Sequence, residues 1–301
     1  MSAPFGGGIS PVGSLPERAL PASGPWYFPR DLQQGVLRNG TRVRRDRHIR
    51  AASARMWNYW LGGKDNYAVD RAAGDDFRAL FPGIDFAARA GRSFLARAVR
   101  HLVVEAGVRQ FLDIGTGLPT ADNTHEIAQR HAPECRIVYV DNDPLVLAHA
   151  RALLTGTAEG ATDYIHADIR DPETILACAA DTLDLDRPVA LVLFGILGLI
   201  PDEDDPWSLV HRLLGALPPG SYLALFDSPD TDPGLLAARR KQADAGAIPY
   251  HSRSPEQIAA YFRDLELLEP GLVPCTRWRP DEPPVDSPAD LSTLGGIGRK
   301  P

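Results

Sequence analysis

Three aspartates stand at the ends of three successive short β-rich runs, and no other feature of the chain constrains its fold as much. The runs read FLDIG, VYVDN and IHADI, and their acids, Asp113, Asp141 and Asp168, lie 28 and 27 residues apart. A β-strand, its crossover and a helix take about 30 residues, so each acid falls at the same point of a repeating βα unit. The pattern predicts strands at Gln110–Ile114, Arg136–Val140, Asp163–Ala167, Pro188–Phe194 and Ser221–Phe226, with further strands at Leu272–Trp278 and Leu294–Arg299. Helical patterns separate the first five, at Thr120–Arg130, Pro144–Leu154 and Pro206–Leu217; later ones are expected at Gly234–Ala245 and Pro255–Leu265. Strands alternating with helices form βαβ units and a parallel sheet covered on both faces. The expected fold class is α/β, a doubly wound, mostly parallel, seven-stranded Rossmann-like sheet.

Residues 1–25 are rich in Pro, Gly and Ser and carry too little apolar surface to order themselves, so a disordered tail is expected there. Residues 26–106 read as an N-terminal arm and helical lid, and 107–301 as the sheet domain. Met56, Tyr59 and Trp60 share one helical face before the Gly62-Gly63 stop. Phe77, Leu80 and Phe81 mark a second helix, and Phe94, Leu95, Ala98, Val99, Leu102 and Val103 a long third one. With 44% hydrophobic and 24% charged residues, wholesale disorder and coiled coil are excluded. The longest apolar run, Val189–Ile200, has twelve residues, well short of the roughly 20 that a membrane span needs. The N-terminus has no signal-peptide pattern, and a cytoplasmic location is expected.

Cys135, Cys178 and Cys275 are widely spaced, and buried free thiols are the expected reading. No CxxC or HxxxH pair occurs, and the HxxE of His131 and Glu134 is interrupted by Pro133, so no metal site is expected. A net charge of −7 disfavours a nucleic-acid partner. Residues 38–55 dissent, with Arg38, Arg42, Arg44, Arg45, Arg47, Arg50 and Arg55 against Asp46 alone. They read as a solvated arm or helix entry, with an anionic partner as the alternative.

Ligands of open α/β sheets bind beyond the carboxyl ends of the strands. After the first strand, Gly115 and Gly117 permit a tight turn and close backbone approach, and Thr120 is placed to cap the next helix. The third glycine of a dinucleotide fingerprint is missing, and Asp113 would repel a pyrophosphate; a cationic ligand suits the turn better. Asp141 is placed to accept hydrogen bonds from both hydroxyls of a ribose, and Asp168 from an adenine amino group.

FLDIGTGLPT, VYVDNDP and ADIRDP together resemble the nucleoside-binding half of class I S-adenosylmethionine-dependent methyltransferases. WNYWLGGKDNYAVDR (57–71) is more specific, and with it the chain resembles a bacterial S-adenosyl methyltransferase family first catalogued as a domain of unknown function. The likeness runs from about residue 50 to 301 and includes PDEDDP (201–206), EPGLVP (269–274) and GGIGRKP. It implies S-adenosyl-L-methionine as cofactor, with Asp113, Gly115 and Gly117 along its methionyl part. Asp141, with Asn142 beside it, would hold the ribose, and Asp168 and Ile169 would frame the adenine. The helix at 88–102 also resembles the leucine carboxyl methyltransferase-like group, in which an arginine pairs with the cofactor carboxylate. That makes Arg92 the candidate and Arg89 the reserve. GGKDN (62–66) is either a plain turn or, with Trp57, Tyr59, Trp60 and Tyr67, part of a lid in which Tyr59, Gly63 and Lys64 contact the cofactor.

No catalytic residue emerges from the sequence. Strand four ends without an Asn/Asp-Pro-Pro-aromatic motif, which disfavours DNA-base methylation. Many members of the resembled family carry a histidine after strand four; here Gly198-Leu199 stands there. Asp227 and the Tyr250-His251 pair are the remaining candidates for a base. The Asp202–Asp205 run reads as a helix cap. The implied activity is methyl transfer to a small-molecule acceptor. An NAD-dependent oxidoreductase, a non-catalytic binding or regulatory module, and aminopropyl transfer remain as alternatives.

Overall fold

The computed structural model describes residues 51–153, 155–281 and 293–301. The chain divides into two units, Met1–Arg44 and Arg45–Pro301, and every described residue belongs to the second. The expected tail at 1–25, residues 26–50 with six of the seven arginines of the 38–55 stretch, and residues 282–292 lie outside the described residues.

Three helices precede the sheet: α1 (Ser53–Trp60), α2 (Ala68–Leu80) and α3 (Ile84–Val104). Five parallel strands follow, β1 (Gln110–Ile114), β2 (Arg136–Asp141), β3 (Ala161–His166), β4 (Ala190–Phe194) and β5 (Tyr222–Asp227). Between them run α4 (Thr124–His131), α5 (Pro144–Leu153), α6 (Pro172–Ala179) and α7 (Pro206–Gly215). The chain then forms α8 (Pro233–Asp244), α9 (Pro255–Ala259), β6 (Glu266–Leu267), β7 (Val273–Pro274) and β8 (Leu294–Arg299).

The sheet order is β3-β2-β1-β4-β5-β8-β6, with β7 also paired to β8, eight strands rather than the expected seven. β8 runs antiparallel to β5, β6 and β7. The chain winds outward through β1, β2 and β3, then returns to β4, so the order reverses beside β1. That reversal opens the crevice in which doubly wound sheets bind ligands. The Leu294–Arg299 strand occurs as expected, but Leu272–Trp278 does not form one strand. Only Val273 and Pro274 pair, and Cys275–Arg277 turn as a 3-10 helix. The helix expected to Leu265 ends as an α-helix at Ala259 and closes in a 3-10 turn at Ala260–Phe262.

The sheet buries one core on each face. On one side Phe94, Val99 and Leu102 of α3 pack with Phe111, Tyr139, Phe226 and Trp278. On the other, Leu112, Val140, Leu191 and Leu225 meet Ile175, Leu213 and Ile258. The glycines of β8 are packed from both sides: a Cβ on Gly295 would come within 2.5 Å of the Phe94 ring of α3, and one on Gly298 within 2.9 Å of the Phe262 ring. Alternation along β5 directs Phe226 to the α3 side, with Leu223 and Leu225 in the opposite core.

A third apolar cluster joins Met56, Trp60, Phe77, Phe81 and Ile84 of the N-terminal helices to Leu235 and Ala238 of α8. Beside it lies a buried ion pair. Arg55 Nε donates to Asp70 Oδ2 at 2.7 Å, with the two side chains 6% and 0% exposed. The amides of Ala52 and Tyr67 also donate to Asp70. Of the two expectations for Arg55, helix entry holds and solvated arm does not: it lies in the first turn of α1, and packing of α1 on α2 removes it from water against a carboxylate fifteen residues on. Cys135 is a buried free thiol and Cys275 is buried with its Sγ 3.2 Å from Thr293 Oγ1, but Cys178 is exposed, because its α6 position falls on the solvent face. The acidic run behaves as a cap at Asp205, whose side chain accepts from Ser208 N at the start of α7.

Candidate functional site

The turn after β1 is shaped by two glycines in the left-handed region, Gly115 (φ 77°) and Gly117 (φ 65°). A Cβ on Gly115 would overlap Ile196 of the loop after β4, whereas nothing lies within 4 Å of a Cβ on Gly117. The first glycine lets two strand-end loops meet, and the second leaves an open backbone edge. Asp141, at the tip of β2, reaches across to that edge. Its Oδ2 accepts from Gly117 N at 3.0 Å and its Oδ1 from Asp143 N at 2.8 Å. Burial pushes the Asp141 carboxyl above its ordinary value. Each oxygen retains lone-pair capacity for a further donor.

Asp113 is 7% exposed and accepts from Thr124 Oγ1 at 2.6 Å. Thr124 is the first residue of α4, which starts four residues later than the sequence pattern suggests. Thr120 is not its cap: Asn123 is, closing a capping box in which Glu126 accepts from Asn123 N at 2.7 Å. Arg92, from α3, donates to the carbonyls of Ala121 (3.1 Å) and Asp122 (2.6 Å) and acts electrostatically on Asp113. Arg89, by contrast, lines a groove of about 690 Å³ on the outer side of α3 and α4, together with Arg97, Arg100 and Arg130.

Burial raises the Asp113 carboxyl to about 6, against the opposing effects of Thr124 and Arg92, while Asp141 adds to the rise. Because the folded value lies above the unfolded 3.8, Asp113 favours folding most below pH about 4. That contribution is lost as pH rises through about 6, a difference of about 3 kcal/mol. Urea denaturation of the ligand-free protein should show this decline between pH 4 and 7.5. The Asp113→Asn variant should show a shallower decline, its remainder set by Asp141 and other carboxyls that burial also raises; an unchanged pH dependence in the variant would show that those groups cause all of it.

Asp168 follows β3 and is already engaged. Arg170 grips it with Nε (2.9 Å) and a terminal nitrogen (2.8 Å), and Arg170 N and Asn142 Nδ2 add 3.0 Å bonds. These donors, Arg170 foremost, hold its carboxyl well below the usual range. Arg170 also reaches Asp204 at 3.3 Å, tying the β3 exit to the loop after β4. Ile169 is buried in the adjacent core. The sequence shows ADIRDP plainly, yet nothing in it reveals that the arginine folds back on the acid two residues before it.

The GGKDN segment is the turn between α1 and α2, organised by Asn58. Asn58 Oδ1 accepts from Asp65 N and Asn66 Nδ2, both at 3.0 Å, and a Cβ on Gly63 would overlap its amide. Lys64 is exposed, and Tyr59 Oη donates to Asp75 at 2.8 Å with Arg78 over its ring. Among the described residues, the hydrogen bonds of Tyr59 and Gly63 stay within the N-terminal helices and their turn, while Asp113, Gly115, Gly117, Asp141, Asn142 and Asp168 gather at the sheet's switch point.

A second polar group lies at the tip of β5. Asp227 accepts from Tyr250 Oη in a very short hydrogen bond and from Ser228 N at 2.7 Å. The Tyr250 ring fills the space that a side chain at Gly198 would take, so the position where a histidine was sought is covered by a tyrosine from a distant loop. His251 contributes its backbone amide to Gly198 O. Arg239 stacks on the Tyr250 ring at 3.8 Å, and the 2% exposed Arg253 donates to the carbonyls of Leu197 (2.8 Å) and Ile200 (2.7 Å). Sequence reasoning missed both arginines, because their partners lie 11 to 56 residues away.

These strand-end carboxylates and the open Gly117 edge suit a nucleoside ligand with a polar, charged tail. The cradle lies in the part of the chain that resembles known proteins. Residues 41–301 match the family model described as S-adenosyl methyltransferase. The crystal structure of a DUF574 family protein from Streptomyces avermitilis MA-4680 is 44% identical, with a TM-score of 0.82. That match covers 85% of this chain and all of the other. A structure from Thermobifida fusca YX, named as that of a proposed methyltransferase, is 42% identical with a TM-score of 0.75, covering 83% of this chain and 95% of its own. No curated protein matches. With the family model spanning the helices, the sheet and every strand-end acid, the chain belongs to the S-adenosyl methyltransferase family and takes S-adenosyl-L-methionine as its cofactor.

Proposed function

We propose that the protein transfers the methyl group of S-adenosylmethionine to a small-molecule acceptor, with the cofactor seated across the exits of β1, β2 and β3. The observation that carries this placement is the Asp141–Gly117 contact beside an unfilled glycine edge. When bound, the cofactor supplies a methyl carbon made electrophilic by its sulfonium. Asp141 holds the ribose hydroxyls on its remaining lone pairs, with Asn142 at the rim. Asp113 faces the α-ammonium and Arg92 the α-carboxylate, a pairing suited to a guanidinium. Ile169 packs against the adenine, and Asp168 offers its amino group a carboxylate already oriented by Arg170. Tyr59, Gly63 and Lys64 close over the cofactor from the N-terminal helices. The chain's main contribution is alignment and exclusion of water, which in intramolecular models lowers a barrier by up to about 7–11 kcal/mol.

A small acceptor is favoured over nucleic acid by the net charge of −7. Calorimetry with S-adenosylhomocysteine and with NAD, in parallel with thermal melting, tests the cofactor placement. Saturation at about 100 times the dissociation constant should stabilise the protein by about 2.7 kcal/mol. S-adenosylhomocysteine alone should give this shift; a shift with NAD alone would overturn the placement.

A further inference from the structure

We infer that Asp227 is the base of the acceptor site, that its Oδ2 receives the proton of a neutral hydroxyl acceptor of the phenol class, and that Tyr250 is its positioning residue. This rests on the methyl-transfer reading above and adds the acceptor chemistry to it.

The geometry begins with the end of β5. Alternation directs Asp227 away from Phe226 and toward the loop after β4. The carboxylate is 2% exposed, and its two oxygens are treated differently. Oδ1 accepts both the Tyr250 hydroxyl and Ser228 N. Oδ2 accepts nothing among the described residues. A buried carboxylate held by one oxygen with the other left open is a base oriented by a third group. Burial also raises its proton affinity, a change that Tyr250, Ser228 N, Arg239 and Arg253 only oppose.

The orienting residue is itself fixed on several sides. The Tyr250 ring rests on Gly198, where any side chain would displace it. Arg239 covers its other side at 3.8 Å and is anchored to Ser252 Oγ. His251 N ties the same segment to Gly198 O, and Pro229 bridges to Arg253. Arg253 in turn binds the loop after β4 through two carbonyls and Asp202. The loop that touches Gly115 through Ile196 thus also carries the Tyr250–Asp227 pair, which places the pair next to the cofactor cradle.

Charge selects the acceptor. Arg239 and Arg253 both act on Asp227, so an oxygen gaining negative charge beside it is stabilised. In the proposed step, a lone pair of the acceptor oxygen forms the bond to the methyl carbon. The carbon–sulfur bond breaks, and its electron pair stays on sulfur. The hydroxyl proton passes to Asp227 Oδ2. An acceptor that reaches the site already ionised has no need of that last transfer.

Two phenols separate a base from a structural carboxylate. At pH about 8, 4-methylphenol remains protonated, whereas 4-nitrophenol is largely ionised. Methyl transfer to each is measured in the wild type, Asp227→Asn and Tyr250→Phe, alongside calorimetry with S-adenosylhomocysteine. Binding of 4-nitrophenol to the homocysteine complex is read from its visible absorbance. Asp227→Asn should lower transfer to 4-methylphenol by about 10²–10⁴-fold and transfer to 4-nitrophenol by less than about tenfold. It should bind 4-nitrophenol at least as tightly as the wild type does. Tyr250→Phe should lie between the two. Homocysteine-compound affinity should be unchanged in both variants, which also shows that they are folded. Equal losses on both phenols, no binding of 4-nitrophenol to the wild-type complex, or preferred methylation of benzylamine would overturn the assignment. Failure of the wild type to bind S-adenosylhomocysteine would instead overturn the cofactor placement.

Discussion

Asp141→Ala is expected to weaken S-adenosylhomocysteine binding by about 100-fold or more. Two separate losses combine at this residue. The carboxylate holds the Gly117 and Asp143 amides in the ligand-free protein, so the variant must order the β1 turn without it. It also forfeits the bonds proposed to the ribose. Hydrogen bonds to a charged group contribute about 1.5–3 kcal/mol each, and two of them at about 1.4 kcal/mol per tenfold give the stated factor. Calorimetry on the purified variant reads it directly. Asp141→Asn should fall between, since its single carbonyl oxygen can accept one backbone amide but not both. Wild-type affinity in Asp141→Ala would remove the ribose from this strand tip.

Arg55→Met is expected to cost about 3–5 kcal/mol of stability, the usual result of removing one member of a buried ion pair. Methionine fills much of the same volume, so the loss reports on charge rather than on a cavity. Asp70 would remain fully buried without its guanidinium, held by the Ala52 and Tyr67 amides. At about 2–4 °C per kcal/mol for a domain of this size, the melting temperature should drop by roughly 6–20 °C. A fall of a degree or two would mean that the α1–α2 hairpin opens independently of the sheet.

The sheet was legible because each parallel strand is a short apolar run that ends in a turn residue or an acid, and a helical period follows most of them. The switch point followed from the same pattern, since all three acids belong to successive units. The strands at the antiparallel end were harder to see. β6 and β7 have two residues each and exist because β8 offers them backbone partners; no side-chain alternation records that. The start of α4 was misplaced although its signal was present, Asn123 with Glu126 three residues on, because Thr120 offered an earlier cap. Arg55 was read with the arginines around it, and only the packing of α1 on α2 shows that its partner is Asp70. The Tyr250–Asp227 pair spans 23 residues, and its fit depends on Gly198, a third remote position. Local pattern reveals the frame, then, while side-chain partnerships across the frame require the fold itself.

β8 carries a consequence for how the chain is made. It lies between β5 and β6 within the sheet, yet its residues follow β5 by 67 positions. At about 5–20 residues per second, a ribosome adds that stretch in roughly 3–14 seconds. Throughout that interval β5, whose six residues are all buried in the finished protein, presents an open apolar edge. Such edges pair readily with other chains, so the nascent protein passes through a stage in which its most vulnerable surface awaits a glycine-rich strand not yet synthesised.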